Sequence, residues 1–379
     1  MTVQGARDPM SSADSISHWR PQDFAAVPVI DPIGPGDVRP ILPDLDLWDC
    51  WPLQHEDGRT VVHAGRQWWF FLSSPKLADP EERHHQARIR LASLGEEGWR
   101  DHGDVLDPAT SPGSREWAGS AVLFDDGRTC ILHFTAAGRN GGPFSFEQRL
   151  FAARGELGAA GPCGFGVPEE IIVADERRYV RVTQADGHAG TVKAFRDPAW
   201  FRDPATGLSH ILFTASAAWS GDAFNGVVGS ATWRDGAWSL DHPLVDAIGV
   251  NNELERPCVV VRDGLYYLFW STQRHTFADP ASAGPNGLYG MVAEALAGPW
   301  KPLNGNGLVA ANPASTPAQA YSWWVTGEGD VRGFVNYWGT GENAMTATPE
   351  FRRAHFGGTP SPAFRLRFDG DRVEIAQPK

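Results

Sequence analysis

Three groups of acidic residues sit in surroundings that a solvated charge does not need. Asp49 lies in Leu47-Trp48-Asp49-Cys50-Trp51-Pro52-Leu53, between two Trp residues. Desolvating that carboxylate is costly unless hydrogen bonds or a bound ligand compensate; the competing reading is a turn Asp bonded to its own backbone. Asp197 lies in Phe195-Arg196-Asp197-Pro198, where Arg196 can hold the carboxylate ionised. A similar tripeptide recurs at Arg202-Asp203-Pro204, so both also read as turn-forming Asp-Pro steps, Asp203 the more so because Ala205-Thr206-Gly207 follows. The third group is Asn251-Asn252-Glu253-Leu254-Glu255-Arg256-Pro257. Glu253 and Glu255 fall on one face of an extended segment. Their repulsion raises the pKa of one of them, as a general acid near neutral pH requires. A solvated strand edge with Arg256 as counter-ion is the alternative.

Rings accompany these carboxylates. The chain carries 16 Trp and 20 Phe, with Trp48, Trp51, Trp117 and Trp270 beside polar candidates. Flat apolar rings edged by carboxylates suit a sugar, which has C–H faces and hydroxyl rims; many of these Trp residues also serve a core. Other chemistries lack their motifs: there is no H-E-x-x-H, no G-x-S-x-G and no P-loop. The widely spaced Cys50, Cys130, Cys163 and Cys258 form no C-x-x-C and read as buried free thiols. His84-His85 reads as a solvated helix face, and no metal or other cofactor is expected. A net charge of −13 argues against nucleic acid. No stretch approaches the length of apolar residues that spans a membrane. The first residues lack the apolar run of a secretory signal, so a cytoplasmic protein is expected, or a secreted one whose signal has been removed.

The elements that must position these groups are strands. With 42 Gly and 29 Pro in 379 residues, breakers are too frequent for a helical bundle. Asp-Gly pairs at 57–58, 126–127, 235–236, 263–264 and 369–370 separate apolar segments, as tight hairpins require. The flanks include Trp68 to Leu72, Ala121 to Phe124 with Cys130 to Phe134, and Cys258 to Val261 with Leu265 to Trp270. Hairpins along the whole chain predict a sandwich, a barrel or a propeller. One helix is predicted from Pro80 to about Ser93, capped by Asp79, with Pro80 at its first position and Glu82 at its third. Residues 1–22 read as a flexible N-terminal tail and 23–379 as a single domain.

Taken in order, four segments resemble the levansucrase/inulosucrase/β-fructofuranosidase family of glycoside hydrolases, family 68. They are Leu47 to Leu53, Glu116-Trp117-Ala118-Gly119-Ser120-Ala121, Phe195-Arg196-Asp197-Pro198, and Glu253-Leu254-Glu255-Arg256-Pro257. Weaker support comes from Phe134 to Gly138, Asn225 to Gly229 and Ala320-Tyr321-Ser322-Trp323. The resemblance covers nearly the whole chain. It implies an all-β fold, a five-bladed β-propeller with a central funnel-shaped active-site pocket, and action on sucrose with net retention. By resemblance alone, Asp49 is the nucleophile, Glu255 the general acid/base and Asp197 the transition-state stabiliser; the residues themselves leave Asp49 and Asp197 interchangeable. Trp48, Trp117, Ala118, Arg196, Glu253, Arg256 and Gln273 are the implied substrate-binding residues, and sucrose and sugar acceptors the implied partners.

Three departures from the family pattern shape the expectation. Ala118 stands where many members have Ser, so a hydrogen bond to the nucleophile is expected to be missing. Gln273 stands where many polymer formers carry Arg or His, which favours a β-fructofuranosidase over efficient levan synthesis. Asn252 stands where calcium-binding members carry Asp, and Thr191 to Phe195 holds no carboxylate, so calcium is not expected. The rivals are a levansucrase, a non-catalytic carbohydrate-binding propeller and an arabinan-acting furanosidase.

Overall fold

Asp-Gly pairs turn the chain as their chemistry dictates. Asp235-Gly236 and Asp263-Gly264 both take positive φ, 51° and 82° in one and 50° and 78° in the other. That is what a two-residue hairpin needs to match the twist of its strands. They join Gly226–Arg234 to Ala237–Leu240 and Glu255–Arg262 to Leu265–Thr272. The computed structural model describes residues 16–21, 24, 27–184, 192–341 and 344–376. The described protein is all-β, with sheets of ten, six, five and five strands. Its described residues hold one α-helix, Pro349–His355, which begins where Thr348 accepts a bond from the Phe351 amide.

The strands run as five antiparallel meanders in chain order. These open on Leu45–His55, Arg115–Leu123, Phe195–Arg202, Glu255–Arg262 and Ala320–Val325. The first two meanders share the ten-stranded sheet because their opening strands pair in parallel, Leu53 opposite Ala121 and His55 opposite Leu123. Each opening strand packs against the next, and the fifth packs against the first. Covered on both faces, these strands are buried almost end to end rather than in alternation. One hydrophobic cluster includes residues from Trp19 to Val373.

Every opening strand carries a bulge at the same height. The register with the second strand of the meander shifts between Trp48 and Trp51, Trp117 and Gly119, Arg196 and Ala199, Glu255 and Cys258, and Tyr321 and Trp324. A bulge re-aims side chains at the cost of ladder bonds. Four of the displaced residues hold positive φ: Asp49 at 47°, Asp197 at 61°, Arg256 at 54° and Ser322 at 58°. Such backbone costs on the order of 1–3 kcal/mol per residue and persists only where surrounding contacts over-determine it. Pro198 and Pro257 follow two of these residues, at positions where the broken ladder asks for no N–H. In the second bulge Gly119 follows Ala118, and a Cβ there would lie 1.9 Å from the His133 carbonyl oxygen.

Three expectations are corrected. The helix from Pro80 to Ser93 is a single 3-10 segment, Pro80–His85, with Asp79 capping it through the Glu81 amide. Arg88–Gly95 is a strand instead, because pairing with Arg66–Pro75 buries Ile89, Leu91, Ala92 and Ser93. Residues 1–15 of the predicted tail lie outside the described residues. The tail's later part is docked: Ser17–His18 pairs in parallel with Val245–Asp246. Trp19 there is 0 % exposed, with its ring 5.2 Å from Trp270 and 5.1 Å from Tyr289. His18 and Arg20 both bond Asp246, which fixes Trp19 from either side. Among the cysteines, Cys163 is exposed while the other three are buried, and all four are free. Trp19→Ala should therefore destabilise the protein by about 3–5 kcal/mol. Urea unfolding reads this directly, and an unchanged midpoint would mean that the docked segment adds nothing.

Candidate active site

The five bulges bring the predicted residues together. Asp49 is displaced from the first opening strand, and its carboxylate is partly exposed. Burial pushes its pKa up; Arg256 and a hydrogen bond from the Ser322 hydroxyl pull it back, and the Glu255 charge adds to the rise. Ala118 brings no hydroxyl; the one that bonds Asp49 comes from Ser322 in the fifth bulge. Ala118 contributes its carbonyl, which accepts from Thr135 Oγ1 at 3.3 Å.

Arg196 answers three carboxylates. Its Nη2 lies 3.2 Å from Glu253 Oε1 and 3.0 Å from Glu255 Oε1, and its Nε lies 3.7 Å from Asp197 Oδ2. Burial raises the Asp197 carboxyl to about 6 against the pull of Arg196, with the Glu255 charge adding to the rise. Burial likewise raises Glu253 to about 7, again against Arg196. One guanidinium cannot hold three buried carboxylates fully ionised, so the set retains a proton near neutral pH. Exposure sorts the acids where spacing could not. Asp197 is 6 % exposed and Glu253 5 %, whereas the Glu255 side chain is 18 % exposed. Asp49 and Glu255 are therefore the two acids open to a ligand.

Hydroxyls and arginines tie the bulges together. Thr135 Oγ1 accepts from the Asp197 amide at 2.8 Å while donating to Ala118, linking the second and third bulges. Thr214 Oγ1 donates to Asp197 Oδ2 at 2.9 Å and accepts from the Arg256 amide at 3.0 Å, linking the third and fourth. Arg256 is no surface counter-ion. It is 4 % exposed, donates to the Cys50 carbonyl at 2.6 Å and to the Ser322 hydroxyl at 2.6 Å, and so joins the fourth bulge to the first and fifth. Tyr321 donates its hydroxyl to Glu255 Oε2.

The Pro80–His85 segment forms one wall. His84, read from sequence as a solvated group, packs its ring 5.7 Å from Trp48, and its carbonyl accepts from Trp117 Nε1 at 3.3 Å. Burial, reinforced by Arg83, lowers the His84 pKa to about 3, so its imidazole is neutral. The Arg83 guanidinium lies over the Trp48 ring at 5.5 Å and the Phe356 ring at 4.6 Å. Glu81 bonds Arg83 and accepts the Tyr337 hydroxyl. Gln273 stands apart: it is partly exposed, two residues beyond Ser271, the pairing partner of Glu255, and its amide joins none of the cluster's hydrogen bonds. Partial burial lowers the pKa of His275 nearby, against the opposing charges of Glu255 and Glu81. Around Asn252, where calcium is not expected, the Lys193 ammonium donates to Asn225 Oδ1 at 2.6 Å, Asn252 Oδ1 at 3.1 Å and the Ala223 carbonyl at 2.5 Å. Thr191 lies outside the described residues.

Sequence reasoning missed Arg83, Glu81, Thr214 and His275 as members of this site, and held Thr135, Tyr321 and Ser322 only as weak resemblance. The last two had a usable signal. Tyr321-Ser322 repeats the large-then-polar pattern of Trp48-Asp49 and follows the fourth motif in order.

Comparison with known proteins places the chain among sucrose-acting relatives. A family model described as levansucrase/invertase matches residues 5–232 and 221–377. A levansucrase of Zymomonas mobilis subsp. mobilis is 32 % identical over 401 residues, spanning 97 % of this chain and 90 % of that protein. A levansucrase of Rahnella aquatilis is 29 % identical, over 90 % of this chain and 88 % of that one. Among solved structures, the inulosucrase from Halalkalicoccus jeotgali bound to kestose is 38 % identical, with a TM-score of 0.85 and 95 % of each chain covered.

The raised Glu253 pKa has a consequence for stability. A carboxyl whose folded pKa exceeds its unfolded value stabilises the fold fully below the unfolded pKa, and that contribution is lost as pH rises through the folded one. For Glu253 the window runs from the ordinary glutamate value of 4.5 to about 7. Between those limits wild-type protein should lose stability relative to Glu253→Gln, which cannot titrate. Urea unfolding of both proteins across that window tests this; parallel pH profiles would remove Glu253 from the proton-holding set.

Proposed function

The chain belongs to the levansucrase/invertase family, and we propose on that basis that it is a retaining, sucrose-acting β-fructosidase with transfructosylating ability. The observation that carries this reading is the pair of accessible carboxylates, Asp49 and Glu255, set among buried arginines where five bulges meet. The cycle of opening strands supports a five-bladed β-propeller with a central funnel-shaped pocket. A hydrophobic cluster with members from Trp19 to Val373 supports one catalytic domain over residues 23–379.

The chemistry runs in two steps. Asp49 attacks the anomeric carbon of the fructosyl unit as its bond to the bridging oxygen breaks, and Glu255 gives its proton to that oxygen, releasing glucose. Asp49 then carries the fructosyl group as an ester. In the second step Glu255, now ionised, takes a proton from water or from an acceptor hydroxyl, whose oxygen displaces Asp49 from the same carbon. Two inversions give net retention. The Arg256 charge and the Ser322 hydroxyl favour the ionised form of Asp49. Asp197, held by Thr214 and beside Arg196, supplies its charge from behind the two accessible acids as positive charge develops on the ring. Tyr321 and Arg196 hold Glu255 from two sides and fix its aim. No step needs a cofactor. The kestose bound to the Halalkalicoccus protein supports sugars as acceptors.

A levansucrase making β-2,6-fructan is the second reading, favoured by the names of the Zymomonas and Rahnella relatives. The neutral Gln273 favours hydrolysis and short products instead. Incubation with concentrated sucrose separates the two: free fructose and oligosaccharides are expected, and abundant high-mass fructan would favour the levansucrase. In the same assay Asp49→Asn should stay folded and fall well below a tenth of wild-type glucose release. Retention of more than that, a barrier change under about 1.4 kcal/mol, would contradict the nucleophile assignment.

A further inference from the structure

The wall that carries Trp117 continues outward into a shelf of aromatic rings that the reaction does not use. Phe146 lies 6.4 Å from Trp117, and Phe144 stands at 90° to Phe146 at 5.4 Å. His85 packs its ring 5.1 Å from Phe144. Phe144 is 51 % exposed, and Phe146 and Trp117 are partly exposed. Isolated exposed rings are ordinary on protein surfaces. These are contiguous, and they share one rigid support.

That support is Arg115, which is 0 % exposed. Its guanidinium carbon lies 4.5 Å from the Phe144 ring centre, 5.4 Å from Phe146 and 5.5 Å from Trp117. Burial alone moves its pKa, down to about 10, with no charged partner contributing. A cation buried without a carboxylate is costly, and three ring faces offset part of that cost. Arg115 also clamps the loop between the two Phe residues by donating to the Ser145 carbonyl at 2.6 Å. The loop is pinned at both ends. The Gly138 amide bonds the Glu147 carbonyl at 2.8 Å, the Phe146 amide bonds the Gln184 carbonyl at 2.6 Å, and Asn140 Nδ2 donates to the Pro108 and Ser111 carbonyls. An apolar ring left in water on a loop held this firmly is arranged for a ligand rather than for the core.

We propose that Phe144 and Phe146 form a stacking shelf for the outer sugar residues of an oligosaccharide whose terminal residue reaches Asp49 and Glu255. The inference rests on the fructosyl-transfer reading and deepens it by naming longer fructo-oligosaccharides as ligands. Continuity selects this occupant. Contacts run without a gap from Trp48 through His84 to Trp117, Phe146 and Phe144. A neutral sugar chain presents C–H faces to such rings and hydroxyls to the polar groups beside them, whereas an apolar peptide would leave those groups unbonded.

The test measures binding of sucrose and of nystose, which carries two further fructosyl units, to protein bearing Asp49→Asn. Adding Phe144→Ala should weaken nystose by about fivefold or more and sucrose by less than about twofold, with Phe144→Trp restoring the difference. In otherwise wild-type protein, Phe144→Ala should shift the products made from concentrated sucrose toward shorter chains at unchanged glucose release. Equal effects on both sugars, or none, would overturn the shelf. The two readings fail separately: wild-type protein that releases no glucose from sucrose ends the transfer reading, whereas normal release with an unaltered nystose affinity in Phe144→Ala ends only the shelf.

Discussion

One buried guanidinium, Arg196, lies between the carboxylates of Asp197, Glu253 and Glu255. Crowding three carboxylates together, two of them buried, is costly, and a single cation between them offsets only part of it. The remainder appears as raised proton affinity at Asp197 and Glu253. A set of acids that keeps a proton near neutrality is what general acid catalysis requires. Removing Arg196 would leave Glu253 and Glu255 without the cation that lies between them, and Asp197 with Arg256 alone to oppose its neighbours' charge.

The backbone supports this arrangement by repetition. Each opening strand breaks its ladder at the same level, and four of the five place a non-glycine residue at positive φ there. Strain of this kind survives because neighbouring bulges restrain one another. Thr135 spans the second and third, Thr214 the third and fourth, and Arg256 the fourth, fifth and first. The strain and the chemistry share residues: Asp49, Asp197 and Arg256 are at once the distorted positions and the charged ones. Such coincidence is expected where function rather than stability sets a local conformation.

What the amino-acid sequence disclosed follows the range of the physics involved. Asp-Gly hairpins are decided within four residues, and Asp235-Gly236 and Asp263-Gly264 turn as read. The start of the Pro80 segment was equally legible, because Asp79 caps it locally. Its end was not, since pairing with Arg66–Pro75 overrides any helical preference from Arg88 onward. Trp19 looked like part of a tail because the rings that receive it, Trp270 and Tyr289, are remote in sequence. Apolar company singled out Asp49, yet nothing local joined it to Ser322 or Arg83. Their proximity is a product of the closed cycle of strands and is invisible in any single segment.

The central claim is that Asp49 forms a covalent bond to the fructosyl unit while Glu255 manages the proton. Mass spectrometry of peptides from enzyme quenched in acid during sucrose turnover tests it most directly. The account predicts a hexosyl adduct on the peptide containing Asp49, absent in Asp49→Asn. An adduct on another carboxylate, or turnover with inverted anomeric configuration and no adduct, would contradict it.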